Sequence, residues 1–384
     1  MLEERRAGVL IPLSAQRHPA SFGVGEIPDL AAYAIWLEAA GHSVLQLLPI
    51  GEPSPGQDSP YAACTAFAID PLYVALRDQP DFQGAGGERA LSPEDREALE
   101  RVREAKAIDY ATVRPLKRRA LELAFRHFEA TEGRAGGERA RDFERFTREE
   151  AAWLADYALF RAIQESQAGR PWWEWPEPLR RRDEAALAAS RAALGDRVRF
   201  FEYVQWEADR QWRAARREAA AHGVLIKGDL PFMVSGDSAD VWSRQHEFKL
   251  DASVGAPPDA FSTEGQDWGL PVYDFAAMGA SGYAWLAQRS ARSQALYDLY
   301  RIDHIVGFYR IFVRPHGKGL ADAYFLPSDE REQLALGEVL LRILGGGGRV
   351  VGEDLGVVPD FVRESMTRLG IPGYRVLRWE REWH

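Results

Sequence analysis

Residues 7–50 run as an apolar segment, a helix-spaced stretch and a second apolar segment, and that order leaves few folds open. Ala7 to Leu13 reads as a short buried strand, followed by a polar, glycine-rich turn from Ser21 to Gly25. Asp29 then caps a helix with apolar residues at Leu30, Tyr33, Ala34 and Leu37, and Gly41 ends it. Val44 to Ile50 is the second run. Strand, helix and strand with short connections make a βαβ unit, whose strands pair in parallel by a right-handed crossover. Four more strand-like runs follow, at Val224–Ile226, Leu299–Ile302, Arg349–Gly352 and Gly373–Trp379. Helical patterns such as Glu202–His222 and Glu330–Leu344 lie between them. This alternation predicts an α/β fold, a (β/α)8 TIM-type barrel with about six of its eight strands present.

Between the second and third runs the character changes. A loop rich in Gly, Pro and Ser (Gly51 to Pro60) is followed by a segment from Ala62 to Leu76. From Asp78 to about Asp196 charge density rises and strand signals vanish. Phe146, Trp153, Tyr157 and Phe160 recur at helical spacing there, which reads as the buried stripe of a helical insertion. The expected organisation is therefore 1–77 as first barrel strands and substrate loop, 78–200 as helical insertion, and 201–384 as the remaining barrel strands.

Composition narrows the partners. Of 384 residues 46% are hydrophobic, so wholesale disorder is excluded, and the net charge of −10 disfavours nucleic acid or an anionic membrane. The basic residues are almost all arginine, with lysine only at Lys106, Lys117, Lys227, Lys249 and Lys318, and asparagine does not occur. One cysteine, Cys64, allows no internal disulfide and fits a reducing compartment. No basic start with an apolar run behind it is visible, nor any apolar stretch near the roughly 18 residues of a membrane span. A cytoplasmic location is expected. Twelve tryptophans suggest either core packing or flat platforms for sugar faces, and Trp172, Trp173 and Trp175 are open to both readings.

Chemistry gathers at the strand ends. The third run closes in Gly228-Asp229-Leu230-Pro231, the fourth in Arg301-Ile302-Asp303-His304 and the fifth in Gly352-Glu353-Asp354-Leu355-Gly356. In a parallel barrel those ends converge on one mouth. A single strand-end Asp often only caps the next helix, but three acidic residues and an arginine arriving separately make a site. Paired carboxylates there suit glycosidic chemistry, one attacking the anomeric carbon and one moving the proton. Arg301 would sit on the same strand face as Asp303 and hold it ionised, while Glu353 would need a raised pKa. Walker A, G-x-S-x-G, H-E-x-x-H and C-x-x-C patterns are missing, and the histidines lack metal-ligand spacing, so no cofactor and no metal are expected.

These blocks together resemble the 4-α-glucanotransferases, the amylomaltases or disproportionating enzymes related to α-amylases. The resemblance spans most of the chain. It rests on Asp58-Ser59-Pro60-Tyr61 with Ala66-Phe67-Ala68, on Gly228-Asp229-Leu230-Pro231 and on Asp237-Ser238-Ala239-Asp240-Val241-Trp242. It rests further on Gly255-Ala256-Pro257-Pro258-Asp259, Phe261-Ser262, Gly265-Gln266-Asp267-Trp268-Gly269, Arg301-Ile302-Asp303-His304 and Glu353-Asp354-Leu355-Gly356. Asp70 and Leu270 stand where that family often has Asn. The resemblance implies Asp303 as nucleophile and Glu353 as general acid/base. It also implies Tyr61, Asp229, Asp259, Trp268, Arg301 and His304 as substrate-binding residues, with maltooligosaccharides and α-1,4-glucans as partners. The family continues through a seventh strand ending in Thr-His-Asp, and this sequence stops at Trp383-His384. That third carboxylate is thus expected to have no counterpart here, which leaves a truncated, inactive glucan-binding relative as the alternative, and a hydrolase as a closer one.

Overall fold

The computed structural model describes residues 5–380 apart from 58, 134–135, 259–261, 346 and 348. Backbone contacts divide the chain into two units. One comprises Arg6–Gly56 and Phe67–Leu225; the other comprises Met1–Arg5, Gln57–Ala66 and Ile226–His384.

The first unit holds the opening βαβ. Strands β1 (Gly8–Leu10) and β2 (Val44–Gln46) pair in parallel, Gly8 opposite Val44 and Leu10 opposite Gln46. The connecting helix, Asp29–Ala39, buries Leu30, Ala34 and Leu37 as its spacing requires. Asp29 does not cap it. Its carboxylate instead accepts from the Glu26 N–H at 2.8 Å and from Arg77 at 2.8 Å.

Helices then dominate from Pro93 to Ala221. Ser92 and Asp109 cap two of them, each accepting a backbone N–H three residues on at 3.1 Å. Phe146, Trp153, Tyr157 and Phe160 are all buried, so the stripe is core. Trp172 and Trp175 are buried too, and the Trp175 ring packs 5.3 Å from Phe160. That removes both from the sugar-platform reading and leaves only Trp173 exposed, because the Trp172–Glu174 turn tucks its flanking indoles inward. A buried ionic cluster ties this unit's N-terminal part to its helices. Lys117 bonds Glu26 and donates to the Val74 carbonyl at 2.7 Å, while Arg77 meets Glu26 at 3.1 Å.

In the second unit β3 (Leu225–Leu230), β6 (Leu299–Ile302) and β9 (Val350–Gly352) form a parallel ladder. A separate antiparallel sheet has the order β5-β4-β7-β8, from β4 (Phe248–Ala256), β5 (Gln266–Tyr273), β7 (Ile311–Pro315) and β8 (Tyr324–Leu326). The β4–β5 pair carries Gly255-Ala256 and Gln266-Asp267-Trp268-Gly269 of the blocks on which the family resemblance rests. Helices Ala284–Leu296, Glu330–Leu344 and Asp360–Arg368 follow the ladder strands or precede them.

The sixth run, Gly373–Trp379, is not a strand. Five parallel strands are present among the described residues rather than six. The Gly352 N–H reaches the Pro372 carbonyl at 2.9 Å, but Pro372 has no N–H to return. The next donor that a ladder would need, the Tyr374 N–H, is taken by the Asp354 carboxylate at 2.7 Å. The chain then turns, with Trp379 N–H on the Val376 carbonyl at 2.7 Å.

Candidate active site

Strand register builds the centre. Asp229 lies opposite Arg301 in the β3–β6 pair, and Ile302 opposite Gly352 in the β6–β9 pair. Side chains two apart share a face, so Arg301 and Asp303 project with Asp229 while Tyr300 points the other way, its hydroxyl against the Leu344 carbonyl. Close packing on that outer side explains a glycine: a Cβ on Gly228 would lie 2.2 Å from the Tyr297 ring. Past the strands, the Asp303 N–H bonds the Leu230 carbonyl at 3.0 Å and the Glu353 N–H bonds that of Ile302 at 2.9 Å. Three carboxylates and one guanidinium thus arrive side by side.

Arg301 organises them. Its Nη1 donates to both Asp229 oxygens, at 2.9 and 2.7 Å. Its Nη2 lies 2.7 Å from Asp303 Oδ1 and 3.9 Å from Glu353 Oε2. Those two oxygens can be no further apart than the sum of 2.7 Å and 3.9 Å, about 6.6 Å. The other lone pairs are occupied by backbone. Phe232 N–H faces Asp303 Oδ2 at 3.3 Å, and Glu353 accepts from His304 N–H at 2.9 Å and Leu355 N–H at 3.1 Å. His304 reaches that geometry only in the left-handed region, at φ +45°, a strained place for a residue with a side chain.

Tyr61 arrives from the Gln57–Ala66 segment of the same unit. Ala63 and Cys64 carbonyls accept from Ser235 N–H at 3.0 Å and Ala239 N–H at 2.8 Å, and Ala66 N–H donates to buried Asp240 at 2.7 Å. The second Asp240 oxygen accepts from Trp285 Nε1 at 2.9 Å. Cys64 itself is wholly buried. So anchored, Tyr61 donates its hydroxyl to Asp229 at 2.9 Å. Trp268 stands edge-on to the His304 ring, with centroids 4.9 Å apart, and Phe232 meets the same imidazole at 5.4 Å.

Beside these groups opens a cavity of about 560 Å³, lined by Tyr61, Phe232, Trp268, Leu270, Arg301, Asp303, His304 and Glu353 among others. Asp229 lies behind that wall, buried, touching it through Tyr61 and Arg301. Asp259 lies outside the described residues, as do Asp58 and Phe261 of the quoted motifs. Phe232 and Met233, which line the cavity, and the paired Lys227 and Tyr374 were not among the site residues read from the sequence. Lys227 was open to such a reading, as a lysine two residues before Asp229 on one strand; Tyr374 was not.

Burial sets the protonation pattern. It pushes Asp229 up to about 6 despite Arg301, with Asp303 adding to the rise. It raises Glu353 as well, with Arg301 opposing and Asp303 assisting. Asp303 is also raised: its ion pair with Arg301 is present, as expected, but burial outweighs it because one guanidinium serves three carboxylates. Burial and then Arg301 depress His304 to about 4, so its imidazole is neutral at pH 7. Among the described residues no group of three or more His, Cys, Asp or Glu side chains is arranged to hold a metal ion. No described helix is long and apolar enough to cross a membrane.

Residues 11–384 match the family described as 4-alpha-glucanotransferase. The chain belongs to that family. It is 34% identical over 385 residues to a 4-alpha-glucanotransferase from Chlamydia pneumoniae, covering 98% of this chain and 69% of that protein. A 4-alpha-glucanotransferase from Thermus thermophilus is 35% identical over 371 residues, covering 94% and 70%. Among solved structures, an amylomaltase from Streptococcus agalactiae in complex with acarbose superposes with a TM-score of 0.80 at 29% identity, over 96% of this chain and 73% of that one. The α/β barrel class expected from the sequence is that of these amylomaltases, and membership makes the chain one of a family of transglycosylases.

Proposed function

We propose that this chain transfers α-1,4-glucan segments between maltooligosaccharides in the cytoplasm, by a retaining double displacement with Asp303 as nucleophile and Glu353 as general acid/base. The observation that carries the reading is the convergence of Asp303 and Glu353 on one Arg301 nitrogen at the edge of a cavity. Retaining enzymes separate their carboxyls by about 5–5.5 Å, inverting ones by about 6.5–9.5 Å. The ceiling of about 6.6 Å between Asp303 Oδ1 and Glu353 Oε2 is compatible with the retaining spacing.

In the first step an Asp303 oxygen forms a bond to the anomeric carbon as the bond to the departing glucan's O4 breaks. Glu353 gives its proton to that oxygen. In the second step an acceptor 4-hydroxyl loses its proton to Glu353 and its oxygen displaces Asp303, which leaves as carboxylate. Two inversions conserve the α linkage. The raised pKa of Glu353 suits the acid role, while the Phe232 N–H and Arg301 stabilise the Asp303 carboxylate as it leaves. Tyr61, Asp229, Arg301, Trp268 and His304 bind the substrate, Asp229 through its hold on Tyr61 and Arg301; Asp259 joins them on the family resemblance alone. Residues 78–200 serve as a helical insertion in the barrel.

Purified chain incubated with maltotriose tests this. Glucose together with maltodextrins longer than the substrate is expected, and neither from Asp303→Asn. Products no longer than maltotriose would make it a hydrolase, and none at all from folded protein would defeat the reading.

A further inference from the structure

Strand β3 carries a second cation into the centre. Lys227 sits two residues before Asp229 and donates to the Tyr374 hydroxyl at 3.0 Å, its Nζ 4.9 Å from the ring centroid. The Arg301 guanidinium carbon lies 6.0 Å from the same centroid. Tyr374 is also fixed at its backbone. Its N–H donates to Asp354 at 2.7 Å, and Asp354, the neighbour of Glu353, is buried and faces Arg363 at 3.4 Å and Arg375 at 3.5 Å. A Cβ on Gly373 would lie 2.6 Å from the Asp354 carboxylate, so only glycine lets the chain come this close. One residue is thereby tied to three adjacent strands: its side chain to β3 through Lys227 and to β6 through Arg301, and its backbone to the end of β9 through Asp354.

We propose that Tyr374, held by Lys227 and Asp354, is a positioning residue that fixes where the Arg301 guanidinium sits among Asp229, Asp303 and Glu353. An aromatic face attracts a cation, and the Arg301 guanidinium carbon lies within reach of this one, 6.0 Å from its centroid. The position matters because Arg301 must satisfy Asp229 and Asp303 at once while standing off Glu353. A shift of about 1 Å in such a group can cost a hundredfold in rate. The inference rests on Asp303 and Glu353 being the reacting pair.

Tyr374→Ala, Tyr374→Phe and Lys227→Met, each in the full chain, test it by maltotriose transfer kinetics and by 13C NMR titration of the Asp229 carboxyl without substrate. Tyr374→Ala is expected to lower kcat about tenfold or more with KM changed less than about threefold. Tyr374→Phe, which keeps the ring, should lose less. The Asp229 midpoint, about 6 in the parent, should rise in Tyr374→Ala as the Arg301 influence weakens. Parental kcat and an unmoved Asp229 midpoint in Tyr374→Ala would overturn the proposal. So would activity lost only through unfolding of that variant while Tyr374→Phe and Lys227→Met behave as the parent. A parent that fails to transfer at all would refute the functional reading instead, and the Asp229 titration would still decide the positioning claim.

Discussion

In the proposed mechanism Asp303 and Glu353 enter the reaction in opposite protonation states although burial raises both. The consequence is a bell-shaped pH profile for transfer. Activity falls on the acid side as Asp303 takes up a proton above the ordinary Asp range, and on the alkaline side as Glu353 loses its proton. Because Arg301 couples the carboxylates, both limbs are properties of the cluster. Glu353→Gln removes the titrating acid and should abolish the alkaline limb together with most of the rate, as measured by kcat against pH from 4 to 9. His304 separates ring from backbone. In His304→Gly the φ of +45° costs nothing and the N–H to Glu353 survives, while the imidazole against Trp268 is lost. KM for maltotriose should therefore rise several-fold with kcat held within about threefold; a collapse of kcat alone would place the ring in the chemistry.

The site at the ladder's end depends on a glycine in β3 and a buried aspartate beyond it. Gly228→Ala drives a methyl into the Tyr297 ring, an overpacking worth about 1–3 kcal/mol that also moves Asp229 next door. Asp240→Ala strips the acceptor from two donors, the half-buried Ala66 N–H and the buried Trp285 indole, the second at about 1–3 kcal/mol. It also frees the segment that brings Tyr61 to Asp229. Denaturant unfolding should show both losses, and Asp240→Ala should raise KM beyond what its stability loss explains. Much at this scale was readable from the sequence. Asp229, Arg301, Asp303 and Glu353 stood out because a parallel ladder has to bring strand ends together. Gly373–Trp379 misled because apolar content is blind to where donors go: Pro372 has none and Asp354 claims that of Tyr374. The tryptophans at 172 and 175 stayed open between two readings until their burial was known, because composition cannot tell a ring buried in a core from one offered to a ligand.

Across the whole molecule, charges are spread unevenly between surface and interior. Lys117 and Glu26 are both buried, and burial depresses the first and raises the second from their ordinary values. Lys117→Met should leave Glu26 to Arg77 and the Phe22 N–H and lower stability by about 3–5 kcal/mol, read from the midpoint of urea unfolding. Pairings of this kind, like that of Lys227 with Tyr374 across 147 positions, escape a linear reading because nothing local announces them. One other property of the chain has a practical side. Its lone thiol, Cys64, is sealed in the segment whose backbone holds Tyr61 in place. A thiol reagent added to the native protein therefore finds a single target with no background, and its rate of labelling counts how often that segment lifts away. Slower labelling with a maltodextrin bound would show that the glucan holds that segment down.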